Sequence, residues 1–115
     1  MNPQSVPSVS VSELAPELPA DAVLLDVRED DEWAAGHAPQ AVHIPMGEIA
    51  GRLADLPSDG NLYVVCRAGG RSARATAYLN SNGWTAVNVE GGMQSWAAAG
   101  YPLVGELTGA APEII

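Results

Sequence analysis

Cys66 is the only cysteine in the chain, and the residues that follow it read Arg67-Ala68-Gly69-Gly70-Arg71-Ser72. A thiol becomes a nucleophile when it ionises, and it ionises more readily where positive charge and hydrogen-bond donors converge on sulfur. This segment supplies both. It follows the apolar run Leu62-Tyr63-Val64-Val65, the clearest buried strand, and it precedes a helix face marked by Ala75, Tyr78 and Leu79. A loop that curls from a strand end into a helix N-terminus aims several backbone N–H groups at one point, where the helix dipole also favours an anion. Gly69 and Gly70 allow the backbone angles such a turn needs, and consecutive amides in that geometry form an anion-binding nest. A sulfur held over the nest is stabilised as thiolate, and the same field stabilises a persulfide anion, Cys–S–S⁻.

Basic residues are concentrated at the same place. Of the 5 Lys and Arg residues, Arg67, Arg71 and Arg74 fall just after the cysteine. In a chain of net charge −9 this reads as a local positive site for an anionic substrate. Arg67 and Arg71 are assigned to it. Arg74 is read as a surface residue that snorkels or pairs with carboxylates. A free cysteine is commonly a small buried hydrophobe, but the strand–loop–helix setting and the flanking arginines favour a reactive thiol. A single thiol rules out an intrachain disulfide, an internal CxxC couple and a cysteine-based zinc finger.

The elements that must position this loop follow from patterning. Val9 and Val11 alternate with serines as in an edge strand, and Ser12 is placed to cap a short turn that Pro16 and Pro19 keep brief. Val23-Leu24-Leu25-Asp26-Val27 reads as a strand buried on both faces. Asp30 to Ala35 reads as a short helix closed by Gly36, and Ala41 to Ile44 as a short strand stopped by Pro45. Met46, Ile49, Ala50 and Leu53 share one helical face, ended by Pro57. Gly83 stands where a left-handed cap would close the helix after the loop. Ala86 to Val89 is the last strand, and Gly91-Gly92 precedes a short helix through Trp96, ended by Gly100 and Pro102. Strands alternate with helices, which argues for an α/β domain with a mainly parallel sheet covered on both faces. In such a sheet a residue at the carboxyl end of a strand lies at the usual ligand edge.

With 115 residues the chain suits one domain, and its 47% hydrophobic and 17% charged composition fits a globular fold. Residues 1–7 read as a flexible N-terminus, 8–104 as the domain and 105–115 as a C-terminal tail of ambiguous structure. The acidic balance, 14 Asp and Glu against 5 Lys and Arg, repels phosphate backbones and anionic bilayers, so neither a nucleic acid nor a membrane is an expected partner. The first ten residues, MNPQSVPSVS, lack the basic start and apolar core of a secretory signal. No apolar run approaches the length needed to span a bilayer. A cytoplasmic location is the expectation.

Taken in order, these residues resemble the rhodanese-like domain family over about residues 8–103. Asp26-Val27-Arg28-Glu29 resembles its DVRE segment. Trp33, Gly36-His37, Pro39 and Ala41 resemble its aromatic-x-x-x-H-I-P-G-A signature, with Ala38 in place of the usual Ile or Val and Gln40 in place of Gly. Asn88, Gly91-Gly92 and Trp96 resemble its N-x-x-G-G-x-x-x-W, and CRAGGRS resembles its active-site loop. The resemblance implies a single α/β domain built on a central parallel five-stranded sheet with helices on both faces. It implies a sulfurtransferase. Cys66 would be the catalytic residue, taking sulfane sulfur from a small anionic donor such as thiosulfate, from a polysulfide or from a persulfide. The sulfur would pass to cyanide, a thiol or a protein acceptor. Arg67, Ala68, Gly69, Gly70, Arg71 and Ser72 would bind substrate, and no metal or organic cofactor is needed.

Two other functions compete. A persulfide carrier or protein-docking module would use the same loop without turnover. A cysteine phosphatase or arsenate reductase of related architecture needs C-x5-R, whereas Cys66 to Arg71 is C-x4-R and Ser72 holds the next position. A tetrahedral oxyanion needs the wider cradle and that arginine as a clamp, which ranks this chemistry below sulfur transfer. Asp26 and Arg28 are read as structural partners at a strand end, and His37 as the anchor of a turn. His43 has no visible role in the sequence. Trp33, Trp84 and Trp96 are read as packing residues. The acidic run Glu29 to Glu32 is read as ordinary complementation of a helix N-terminus.

Overall fold

The computed structural model describes residues 6–14, 18–57 and 61–115. Strands β1 (Ser8–Ser10), β2 (Ala22–Asp26), β3 (Val42–His43), β4 (Asn61–Val65) and β5 (Ala86–Glu90) form one sheet in the order β1-β5-β4-β2-β3. Every pairing is parallel. Helices α1 (Val11–Leu14), α2 (Asp30–Ala35), α3 (Gly70–Ser81) and α4 (Gly92–Ala98) alternate with the strands. The fold is the expected single α/β sheet domain.

Alternate residues of the central strands bury opposite ways, because successive side chains of a strand point to opposite faces. Leu25, Leu62, Val64 and Cys66 pack with Ala75 and Leu79 of α3. Leu24, Val65 and Val89 pack with Val11 and Leu14 of α1 and with Met93 and Trp96 of α4. Both faces are therefore covered, which is why β2 and β4 read as continuous apolar runs. From β2 the chain moves outward to β3, and from β4 it moves the other way to β5. The crevice between β2 and β4, at their carboxyl ends, is thus a topological switch point. Cys66 directly follows β4.

Local details depart from the sequence expectations in three places. Val11 does not extend β1 but opens α1, and the cap is Ser10, not Ser12. The Ser10 hydroxyl accepts from the Glu13 amide at 3.2 Å, while the Glu13 carboxylate accepts from the Ser10 amide at 2.9 Å. That reciprocal pair is a capping box. The expected strand at 41–44 pairs only over Val42–His43. The expected α-helix after Pro45 is two 3₁₀ segments, Met46–Gly51 and Leu53–Asp55. Gly47 and Gly51 weaken α-helix in this stretch, and the amides of Glu48, Arg52, Asp55 and Leu56 reach back three residues. The tail, left open by the sequence, is laid on the domain. Val104 and His37 exchange backbone hydrogen bonds, and the amides of Glu106 and Glu113 donate to the carbonyls of Ala34 and Ala35. Of the residues expected to be loose, 1–5 lie outside the described residues, as does Pro16.

Candidate active site

The strand-to-helix turn after β4 closes around the Cys66 sulfur. Gly69 caps α3 with φ 115° and ψ −13°, a left-handed conformation that costs glycine little. Its amide donates to Sγ at 3.0 Å, and the Ser72 hydroxyl lies 3.3 Å from Sγ. The carbonyls of the turn point the other way. Those of Cys66 and Arg67 accept from the amides of Met93 and Gln94, at 2.8 and 2.9 Å. The first turn of α4 thus holds the back of the loop, leaving the loop's amides to face the sulfur. Gly92 makes this approach feasible: it has φ +56°, and a Cβ there would collide with the Cys66 and Arg67 carbonyls.

The Cys66 side chain is only 1% exposed, with apolar neighbours from β2 and α3 beneath it. Burial pushes the thiol up. Hydrogen bonds from the Ser72 hydroxyl and from the amides of Ser72, Gly69 and Ala68 outweigh burial and bring its pKa below the ordinary thiol value. Neither histidine is among the sulfur's partners. His37 Nδ1 meets the Trp33 carbonyl at 2.8 Å, and His43 Nε2 meets the Arg28 carbonyl at 2.8 Å. Both imidazoles stack on Trp33, with ring centroids 3.5 and 4.6 Å away. His37 anchors a turn as expected. His43 also acquires a role, tying Arg28, two residues past β2, to β3.

The arginines divide. Arg67 is exposed, and its Nε donates to the Ile115 backbone oxygen at 2.9 Å. With its amide oxygen turned to the guanidinium, Gln94 accepts from both terminal nitrogens at 3.2 Å. Arg71 is held by Glu32 of α2, Nη1 to Oε1 at 2.7 Å and Nη2 to Oε2 at 2.9 Å. The acidic run is therefore more than helix-end chemistry, because one of its members neutralises a site arginine. Hydrogen bonding to Arg71, opposed by burial, holds the Glu32 carboxyl at about 2. Arg71 is raised in return, and the Cys66 thiolate adds to that. Arg74 is exposed, as a surface residue would be. Asp26 and Arg28 are fully buried and paired at 2.8 Å, and Arg28 also donates to the Gly36 carbonyl at 2.7 Å. They brace the turn beside the site, in line with a structural role.

The residue that sequence reasoning missed is Asn88 of β5. It is 5% exposed, and its Oδ1 accepts from the Ser72 hydroxyl at 2.6 Å. The signal was an amide side chain inside a buried apolar strand, which requires a partner. Position 72, where a phosphate-binding loop needs its arginine, thus carries a buried serine hydroxyl committed to sulfur and amide. Among the described residues no group of three or more His, Cys, Asp and Glu side chains could hold a metal ion. The arrangement sets the Cys66 sulfur under a small ring of donors, a setting that suits a thiolate.

The chain is similar to proteins already known. The family model described as "Rhodanese-like domain" matches residues 10–99. The protein YtwF of Bacillus subtilis is 41% identical over 99 residues, 84% of this chain and 96% of its own length. "Thiosulfate sulfurtransferase GlpE" of Pseudomonas savastanoi pv. phaseolicola is 40% identical over 82 residues, 70% of this chain and 76% of its own. The crystal structure of a rhodanese-related protein from Thermoplasma volcanium superposes with a TM-score of 0.79 at 36% identity, covering 85% of this chain and 97% of that one.

Proposed function

The chain belongs to the rhodanese-like domain family, and on that premise we propose that it moves sulfane sulfur from thiosulfate, a polysulfide or a persulfide to a thiol or cyanide acceptor through a persulfide on Cys66. The single observation that carries this reading is the set of donors on Sγ, the Gly69 amide at 3.0 Å and the Ser72 hydroxyl at 3.3 Å. With thiosulfate, the Cys66 thiolate attacks the outer sulfur. A new S–S bond forms, and sulfite leaves with the electron pair of the bond that breaks. The product, Cys–S–S⁻, keeps its negative charge in the loop, where the amides from Arg67 to Ser72 hold it. A nucleophilic acceptor then attacks the terminal sulfur, takes it, and returns the thiolate. This is covalent catalysis with two half-reactions and ping-pong kinetics.

Arg67 is the exposed cation beside the loop and draws the anionic donor in. Arg71 contributes less net charge because Glu32 balances it. The lone cysteine suits a reducing compartment, and we place the reaction in the cytoplasm. No described helix is long and apolar enough to cross a membrane. The test is thiocyanate production from thiosulfate and cyanide. Wild type turns over and Cys66→Ser falls to background; a serine variant as fast as wild type would sink the mechanism. If neither protein turns over, a single added sulfur on Cys66 after polysulfide exposure, read by mass spectrometry, supports the carrier function instead.

A further inference from the structure

Ser72 has one hydroxyl proton and three acceptors within reach: Asn88 Oδ1 at 2.6 Å, the Gly69 carbonyl at 3.2 Å and Cys66 Sγ at 3.3 Å. The shortest contact takes the proton. With Oδ1 turned to Ser72, the consistent chain is S–H to Oγ and O–H to Oδ1, which suits the thiol. Ionised sulfur has no proton and needs a donor. If the Ser72 hydroxyl rotates to it, the Ser72–Asn88 contact becomes oxygen lone pair against oxygen lone pair. Only a residue that can also present an N–H relieves this. A primary amide does so by turning over, giving N–H to Oγ and O–H to S⁻.

We propose that Asn88 is a positioning residue for the Cys66 nucleophile, its amide switching between acceptor and donor so that the Ser72 hydroxyl follows the charge on sulfur. The inference rests on the Cys66 chemistry above and deepens it. An aspartate at this position could terminate only the first chain, and an aliphatic residue neither. Asn88, Ser72 and Cys66 are all buried, so bulk water does not substitute readily. The ionisable groups on the surrounding elements leave this role open. Asp26, at the end of β2, and Arg28, two residues on, are paired with each other. Arg71 of α3 is held by Glu32 of α2. Arg74 and Arg67 are exposed, as is Glu90 at the end of β5, and α4 carries no ionisable side chain.

The experiment is the pH dependence of Cys66 alkylation by iodoacetamide, which needs no sulfur donor, so its result stands apart from turnover. Asn88→Leu and Asn88→Asp are compared with wild type, each also in a Ser72→Ala background. Asn88→Leu is expected to raise the alkylation midpoint by about half a pH unit or more, and Asn88→Asp by at least about one unit, a tenfold loss of thiolate at a given pH. In Ser72→Ala the Asn88→Leu shift vanishes, because the amide has lost its intermediary. A midpoint unchanged by either substitution overturns the proposal, and so does a Leu shift that persists undiminished without Ser72. Should the leucine variant not fold, the near-isosteric aspartate decides alone: a midpoint at or below wild type refutes the proposal.

Discussion

Glu32 and Arg71 meet as a bidentate pair across 39 positions of sequence, with both nitrogen–oxygen distances under 3 Å. The pair joins α2 to the first turn of α3 and balances one of the positive charges beside Cys66. It has consequences for stability and for substrate recognition.

For stability, the folded-state value of Glu32, about 2, lies below its unfolded value of 4.5. A depressed carboxylate stabilises fully above the unfolded value, and the contribution is lost as pH falls through the folded one. Glu32→Gln should therefore lower stability by about 1–2 kcal/mol at neutral pH, a reduced figure because both partners are partly solvated. The gap to wild type should close between pH 4.5 and about 2. Thermal melts across that range measure it, and a constant gap would contradict the assignment.

Arg67 is expected to read donor charge. Arg67→Ala should raise the thiosulfate KM several-fold and leave activity with a neutral organic trisulfide within about twofold of wild type. The thiosulfate effect should shrink as salt is raised, since the side chain is exposed and its field is screened. Equal losses with both donors would show that Arg67 acts through structure rather than charge.

Gly92 tests the support that α4 gives the loop. Its φ of +56° and the closeness of the Cys66 and Arg67 carbonyls leave no room for a Cβ. Gly92→Ala should cost about 2–4 kcal/mol and move the loop off its amide-inward geometry. The alkylation midpoint of Cys66 should then rise even where the variant remains folded. A midpoint equal to wild type would mean that the Met93 and Gln94 bonds do not set the direction of the loop amides.

The tail is expected to contribute to both stability and the site. Ile114 packs against the cluster around Trp96, and the Glu113 backbone lies against Gly36. Removing residues 105–115 should lower the thermal midpoint by several degrees and release the Arg67 side chain from the Ile115 oxygen. The thiosulfate KM should change with kcat within about twofold, because no tail residue is among the sulfur's partners. An unchanged melting temperature would show the packing to be energetically neutral.

The sequence by itself determined the parts whose causes are local. The Leu62–Val65 run, the glycines at 69 and 70 and the helix face beginning at Ala75 place Cys66 at a strand end under converging amides, and chain order alone carries that. The α2 boundaries follow likewise from Asp30 and Gly36. The 3₁₀ geometry after Pro45 was not legible, because the spacing of Met46, Ile49 and Leu53 suits an α-helix equally well. The electrostatic partners around the sulfur were beyond reach for a different reason. Ser72 meets Asn88 across 16 positions, Arg71 meets Glu32 across 39 and Arg67 meets Ile115 across 48. No periodicity encodes such pairs. They exist because the β1-β5-β4-β2-β3 order sets β5 and β2 on either side of β4 and lays the tail beside the loop, and only the folded chain decides which charge is balanced and which hydroxyl the sulfur keeps.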